Sequence, residues 1–280
     1  MSDSNQFKLA GVMGMPVFQS RSPMLHNYWI KKYNVKGAYG HFPVQIDNVE
    51  AAVRGLSALG IAGCNITQPH KIMAMELMDE LSPLAQRIGA INCIVVQPDG
   101  SLHGFNNDGF GYIQSLKDAN PLWRADAGPI VVLGAGGAAR AVVISLMDEG
   151  AKEIRLINRT RTKADALASV NTQVVKTFDW DERHAALDGA AMLVNTTNQG
   201  MYGQPPLDLH LDALPKSAMV SDLIYIPLET PLLAAARVRG NATVNGLGML
   251  LNQAIPAFEA WFGVKPEITD ELRQSILATF

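Results

Sequence analysis

The run Ile130-Val131-Val132-Leu133-Gly134-Ala135-Gly136-Gly137-Ala138-Ala139 leaves the fold little latitude. Four aliphatic residues end in glycines and a helical stretch from Ala138 to Glu149 follows, so a buried strand must turn directly into a helix. At this G-x-G-x-x-A spacing each small residue has its own task. Gly134 permits the tight turn, Gly136 lets backbone approach a pyrophosphate, and Ala139 lets helix and strand pack. The helix start adds unpaired N–H groups and the positive end of a dipole. Gly134, Ala135, Gly136, Gly137 and Ala138 are therefore the positions expected to bind the phosphates of a dinucleotide.

A further strand, near Glu153 to Asn158, should end in an acid if the ribose 2′-hydroxyl of NAD were to be bound. It ends instead in Asn158-Arg159-Thr160-Arg161-Thr162-Lys163. Arginine offers a planar fork of donors to a phosphate, and Thr160 and Lys163 can add to it, so the local charge favours the 2′-phosphate of NADP. NAD is the alternative cofactor. The plain alternative for the basic residues themselves is a solvated helix start.

The first third of the chain has the same rhythm. Strands are expected near Lys8 to Met13 and Tyr39 to Val44, with helices from Pro23 and from Asn48 to Leu59. This reads as βαβα and a mostly parallel sheet. With 280 residues, 48% of them hydrophobic and 18% charged, the chain can bury two cores. The polar segment 118–128, broken by proline and glycine, suits an interdomain connection.

Charge and composition exclude other classes. The 23 basic and 26 acidic residues nearly cancel, with no basic cluster interleaved with aromatics, so nucleic acid is not expected as a partner. MSDSNQFKLAG lacks a basic segment followed by an apolar run, and no later stretch is apolar for long enough to span a bilayer. A soluble, cytoplasmic protein without membrane partners is expected. Cys64 and Cys93 stand outside any C-x-x-C or zinc-ligand spacing and should be reduced and buried. The six histidines are scattered along the sequence, so no metal is expected.

Three polar features stand out. In Gln19-Ser20-Arg21-Ser22-Pro23, Ser22 is placed as an N-cap and Pro23 as the first helical residue. A bare helix start is one reading; with Ser20 beside it, a cradle for a carboxylate is the other. Further on, Gln253 falls on the face of a C-terminal helix shared with Met249, Leu250, Ala257 and Trp261. A buried amide there needs a protein partner or a polar ligand. Lys71, finally, follows Gly63-Cys64-Asn65-Ile66-Thr67-Gln68-Pro69-His70, either a surface charge after a proline turn or a reactive group.

These segments occur together and in order with Gly89-Ala90-Ile91-Asn92, Asn106-Asn107-Asp108-Gly109, Asp222-Leu223-Ile224-Tyr225 and Gly246-Leu247-Gly248-Met249-Leu250. In that combination the chain resembles the shikimate dehydrogenase family over essentially its whole length. The resemblance implies an α/β protein of two domains. An N-terminal α/β substrate-binding domain, 1–112 plus 249–280, and a Rossmann-type dinucleotide-binding domain, 113–248, would have a cleft between them. It also implies reversible NADPH-dependent reduction of 3-dehydroshikimate to shikimate, a step of aromatic amino-acid biosynthesis, in a monomer or homodimer. By residue match, Ser20 and Ser22, helped by Tyr225, would hold the substrate carboxylate. Asn65, Thr67, Asn92 and Gln253 would bind ring hydroxyls, and Lys71 with Asp108 would form the acid–base pair. Leu223, Gly246 and Met249 would join Asn158, Arg159, Thr160 and Lys163 around the cofactor.

Asn107 departs from the family, which usually has a threonine there in contact with substrate. An amide replaces a hydroxyl and a methyl, so the accepted ring-hydroxyl pattern can differ. Two alternatives stay open: a quinate/shikimate-type paralogue with altered substrate or NAD preference, and a nucleotide or metabolite sensor without turnover.

Overall fold

The structure is a computed structural model describing residues 6–280. Its contacts divide the chain into two units: residues up to Asp108 with Leu251–Thr279, and Gly109–Leu250 with Phe280.

In the first unit β1 (Lys8–Gly14) leads through α1 (Ser22–Lys32) to β2 (Gly37–Pro43), and α2 (Val49–Ala58) leads to β3 (Ile61–Ile66). Both β2 and β3 pair parallel to β1. After the two-residue strand β4 (Glu80–Leu81) and α3 (Pro83–Ile88), β5 (Cys93–Val96) and β6 (Leu102–Phe105) complete a six-stranded sheet of order β2-β1-β3-β5-β6-β4. The expected mostly parallel pairing holds, with β2, β1 and β3 parallel, and two pairings, β3–β5 and β5–β6, are antiparallel. For β5–β6 the reason is local. Gln97-Pro98-Asp99-Gly100-Ser101 closes a tight hairpin in which Gln97 N–H donates to Ser101 O (2.9 Å) and Gly100 takes φ 87°. So short a connection can join only antiparallel strands.

The helix start at α1 also differs from expectation. Ser22 is its first helical residue rather than its cap, Arg21 precedes it with helical φ/ψ, and no cap side chain accepts a helix N–H. Ser20 takes part of that role, its Oγ accepting the Ser22 N–H at 3.3 Å.

Beyond α4 (Asp108–Ala119), the second unit runs β7 (Ile130–Leu133), α5 (Gly137–Asp148), β8 (Ile154–Ile157), α6 (Arg161–Ala168), β9 (Val175–Phe178), β10 (Met192–Asn195), β11 (Met219–Asp222), α7 (Pro231–Arg239) and β12 (Thr243–Val244), with no α-helix among the described residues between β9, β10 and β11. All pair parallel in the order β12-β11-β10-β7-β8-β9. This is the doubly wound order, with β7 and β10 flanking the reversal point. Every residue of β7 and β10 is buried, as strands covered on both faces require. Two apolar clusters cover the sheet, one around Val132, Val142 and Leu156, the other around Val131, Leu193 and Leu233.

The chain then forms α8 (Leu247–Phe262) and α9 (Asp270–Leu277). Leu251, Ala254, Phe258 and Trp261 of α8 are buried, whereas Met249 and Leu250 are only half-buried. Trp261 Nε1 donates to Ile94 O at 2.9 Å, and Gly63 leaves room for the indole, since a Cβ at 63 would collide with Nε1.

Candidate active site

In the first unit the backbone around Lys71 is held on several sides. Thr67 N–H donates to Met13 O (2.9 Å), His70 N–H to Thr67 O (3.0 Å), and Ile91 N–H to Lys71 O (3.0 Å). The fully buried His70 bonds through Nε2 to Val44 O at 2.8 Å. A turn tied to β1, the residue just after β2 and the segment before β5 thus aims the lysine rather than leaving it to solvent.

The Lys71 ammonium pairs with Oδ2 of Asp108, the side chains being 18% and 8% exposed. Oδ1 of Asp108 accepts from Asn92 Nδ2 at 2.8 Å. The same amide nitrogen donates to Gln253 Oε1 at 3.3 Å, so Gln253, 8% exposed, has a protein partner. Asn92 Oδ1 accepts the Asn107 N–H (2.8 Å) and Asn106 Oδ1 accepts the Asp108 N–H (3.0 Å). Asn106 is anchored in turn through Nδ2 to Ala90 O at 2.9 Å. Asn65, 5% exposed, donates from Nδ2 to Asn92 O at 3.0 Å and accepts on Oδ1 from Tyr39 Oη at 2.7 Å.

Lys71, Asp108, Asn92, Gln253 and Asn65 are therefore one connected polar group. A half-buried lysine beside a buried, hydrogen-bonded carboxylate can donate a proton as the ammonium and take it back as the amine, and the amides around it can orient a polyhydroxylated ligand. Thr67 and Asn107, both half-buried, have side chains without a hydrogen-bond partner among the described residues, which leaves their polar atoms for a ligand. Ser20 and Ser22 stand at the α1 start, and Tyr225 belongs to the second unit, where its ring meets Phe280 edge-on at 6.2 Å.

Sequence reasoning passed over Asn106, Tyr39 and His70. Asn106 had a signal, an asparagine two residues before Asp108 as in an Asx turn. Tyr39 and His70 act across long sequence separations that no local pattern announces.

In the second unit Gly134 takes φ 109°, and a Cβ there would collide with Thr196 Oγ1. Gly136 opens α5 in extended conformation, with open space where a side chain would stand and no side-chain cap on the helix N–H groups. Such a cradle fits a pyrophosphate. Arg161 is held by Asp165 (2.9 Å), Asp179 (2.7 Å) and Thr177 (2.9 Å). Arg159 and Lys163 are exposed, with no side-chain partner among the described residues, and so remain for an anion. Asn158 Nδ2 donates to Thr160 O at 2.8 Å and fixes the bend between strand and helix.

Beside this turn a buried carboxylate organises two loops. Asp222 accepts from Asn195 Nδ2 (3.1 Å), from the Ile224 N–H (3.1 Å) and from Thr230 Oγ1 (2.8 Å). Burial raises its pKa, and the three donors oppose that shift. Leu223 lies at this strand end. Gly246 packs so closely on it that a Cβ would collide with the Leu223 carbonyl oxygen, while Met249 is half-buried against the sheet core.

The fold also brings together His184, Asp208 and His210, scattered in sequence, with ligand atoms within 4.8 Å of one another. Two of these groups are already engaged. His184 Nδ1 accepts the His210 N–H at 3.1 Å, and Asp208 is ion-paired with Arg183. A cation would have to displace both.

Three family descriptions match the chain. Residues 12–94 match the shikimate dehydrogenase substrate binding domain, residues 121–202 shikimate / quinate 5-dehydrogenase, and residues 246–277 the shikimate 5′-dehydrogenase C-terminal domain. A shikimate dehydrogenase (NADP(+)) of Paramagnetospirillum magneticum is 50% identical over 275 residues, which are 98% of this chain and 100% of that relative. Among solved structures, the shikimate 5-dehydrogenase of Thermus thermophilus in complex with NADP(H) and shikimate is 31% identical with a TM-score of 0.87, covering 98% of this chain and 100% of that one. The quinate dehydrogenase of Corynebacterium glutamicum in complex with NAD is 28% identical with a TM-score of 0.90, also covering 98% and 100%.

Proposed function

Because this chain belongs to the shikimate dehydrogenase family, we propose that it catalyses the reversible NADP(H)-dependent reduction of 3-dehydroshikimate to shikimate. The observation that carries this reading is the Lys71–Asp108 pair inside a connected set of amides.

The cofactor, when bound, supplies or accepts the hydride. Its pyrophosphate would be held by Gly134, Ala135, Gly136, Gly137 and Ala138, with Arg159, Thr160 and Lys163 on the 2′-phosphate. Asn158, Leu223, Gly246 and Met249 shape the remainder of that pocket. Reducing a ketone to an alcohol requires a proton on the oxygen, and Lys71 is the group positioned to deliver it and to take it back in the reverse direction. Such acid–base assistance is worth about 10²–10⁴-fold. Asp108, fixed by Asn92 and by the Asn106 turn, holds the ammonium and does not itself transfer the proton. Ser20 and Ser22, with Tyr225, take the carboxylate, and Asn65, Thr67, Asn92 and Gln253 take the ring hydroxyls.

A small-molecule polyol acid as sole partner, with neither nucleic acid nor membrane, accords with the formal charge of −3. The cysteines, both free and buried, accord with a reducing cytoplasm, where the chain would work as a monomer or homodimer. Among the described residues no helix is long and apolar enough to cross a membrane.

The direct test mixes the purified protein with shikimate or quinate, each with NADP or NAD, and follows reduced-nicotinamide absorbance. Turnover confined to shikimate with NADP is expected; silence in all four mixtures overturns the reading in favour of a binding role. Asn107 supports a second reading, a quinate-accepting paralogue that uses NAD. It is tested by Asn107→Thr, which should change the ratio of kcat/KM for the two substrates if Asn107 sets the choice.

A further inference from the structure

Tyr39 lies on β2, outside every sequence motif, yet it is 4% exposed and closely held. Its backbone is gripped by Asn27 of α1, which accepts the Tyr39 N–H on Oδ1 (3.0 Å) and donates from Nδ2 to Tyr39 O (2.8 Å). Its ring stacks on His26, centroids 4.2 Å apart and planes 6° from parallel, and leans on Trp261 at 5.9 Å. Backbone and ring are thus fixed independently of the hydroxyl.

The hydroxyl has one proton, and the neighbouring groups decide where it goes. Asn92 O can only accept, so the Asn65 atom facing it at 3.0 Å must be the amide nitrogen. Asn65 Oδ1 then faces Tyr39 Oη at 2.7 Å, and the phenol must donate. The hydrogen bond therefore runs from Tyr39 Oη to Asn65 Oδ1. It leaves Asn65 one amide hydrogen and one lone pair for a ligand, in a single orientation.

We propose that Tyr39 is a positioning residue that fixes the Asn65 amide in the one orientation that presents this hydrogen and lone pair to the ring hydroxyls. This rests on the function proposed above. Without the phenol hydroxyl, Asn65 keeps its contact to Asn92 but its buried oxygen loses a partner, and substrate binding must supply one or leave it unpaired.

The experiment compares Tyr39→Phe, which keeps the stacked ring, with the unaltered protein, with Asn65→Ala and with the double variant. Tyr39→Phe should raise KM for shikimate about tenfold, in line with an unpaired buried acceptor, while kcat and KM for NADP stay within about twofold. In the Asn65→Ala background the same change should have little further effect, because the group acted upon is gone. An unchanged shikimate KM, or an equal rise in both backgrounds, overturns the proposal. Should Asn65→Ala fail to fold, the split between the shikimate and NADP KM values still decides, since loss of stability alone moves neither. Turnover by the unaltered protein is read separately. If it uses quinate rather than shikimate, the comparison is made with quinate, and if it uses neither, the functional reading falls and this inference with it.

Discussion

Asp108 holds Lys71 with one carboxylate oxygen and is itself held through the other, where Asn92 Nδ2 donates at 2.8 Å. A carboxylate anchored on both sides cannot swing to follow the lysine, so the position of the ammonium is set by the amides behind it.

Removal of the ammonium should therefore affect chemistry far more than cofactor binding. Lys71→Ala is expected to lower kcat by about 10²–10⁴-fold. Asp108→Asn, which keeps the shape but loses the charge, should also lower kcat. Fluorescence titration should show NADPH affinity within about twofold of the unaltered protein in both. Undiminished turnover by Lys71→Ala would remove the lysine from the mechanism.

Cofactor choice should follow Arg159. It is exposed and without a side-chain partner among the described residues, so Arg159→Ala disturbs little else. One charge-assisted contact to phosphate is worth about 1.5–3 kcal/mol, so kcat/KM for NADP should fall by roughly 10–100-fold while that for NAD changes little. Equal losses with both cofactors would assign Arg159 a different task.

Gly134→Ala introduces a side chain at φ 109° that collides with Thr196 Oγ1. A residue forced into such a conformation costs about 1–3 kcal/mol before any clash. A lower thermal midpoint is expected, with weaker NADP binding because the turn that should meet the pyrophosphate must shift. Calorimetry with and without NADP separates the two effects.

His26 provides a pH signature of the first unit's core. Burial pulls its pKa from 6.5 down to about 3, and neither ring nitrogen has a hydrogen-bond partner among the described residues. The unfolded chain takes up a proton there below about pH 6.5 and the folded protein does not, so as pH falls from there towards 3 His26 lowers stability by up to about 1.4 kcal/mol per pH unit. His26→Phe, which can keep the stack on Tyr39, should flatten stability against pH in that window. An unchanged slope would mean the imidazole is protonated in the fold.

Much of the second unit's fold was legible because its determinants are local. The apolar run 130–133 and the glycines after it specify strand, turn and helix within a few residues, and the structure places β7 and α5 there. The strand order was not legible, since each parallel pairing joins segments far apart in sequence. In the first unit the antiparallel hairpin was missed although Pro98, Asp99 and Gly100 marked its turn. Around Lys71 the motif residues could be picked out, but not the order in which they touch. That Asn92 lies between Asp108, Gln253 and Asn65 depends on side-chain bonds spanning 16 to 161 positions. Tyr39 was invisible for the same reason.

The polar framework around Lys71 is made of amides, Asn65, Asn92, Asn106 and Gln253, and amides neither gain nor lose protons in water's usual range. Tyr39 adds a phenol that burial pushes well above its ordinary pKa. The scaffold is thus electrically silent across the range where enzymes are assayed. The amides that orient the Lys71–Asp108 couple therefore offer the same donors and acceptors at every assay pH.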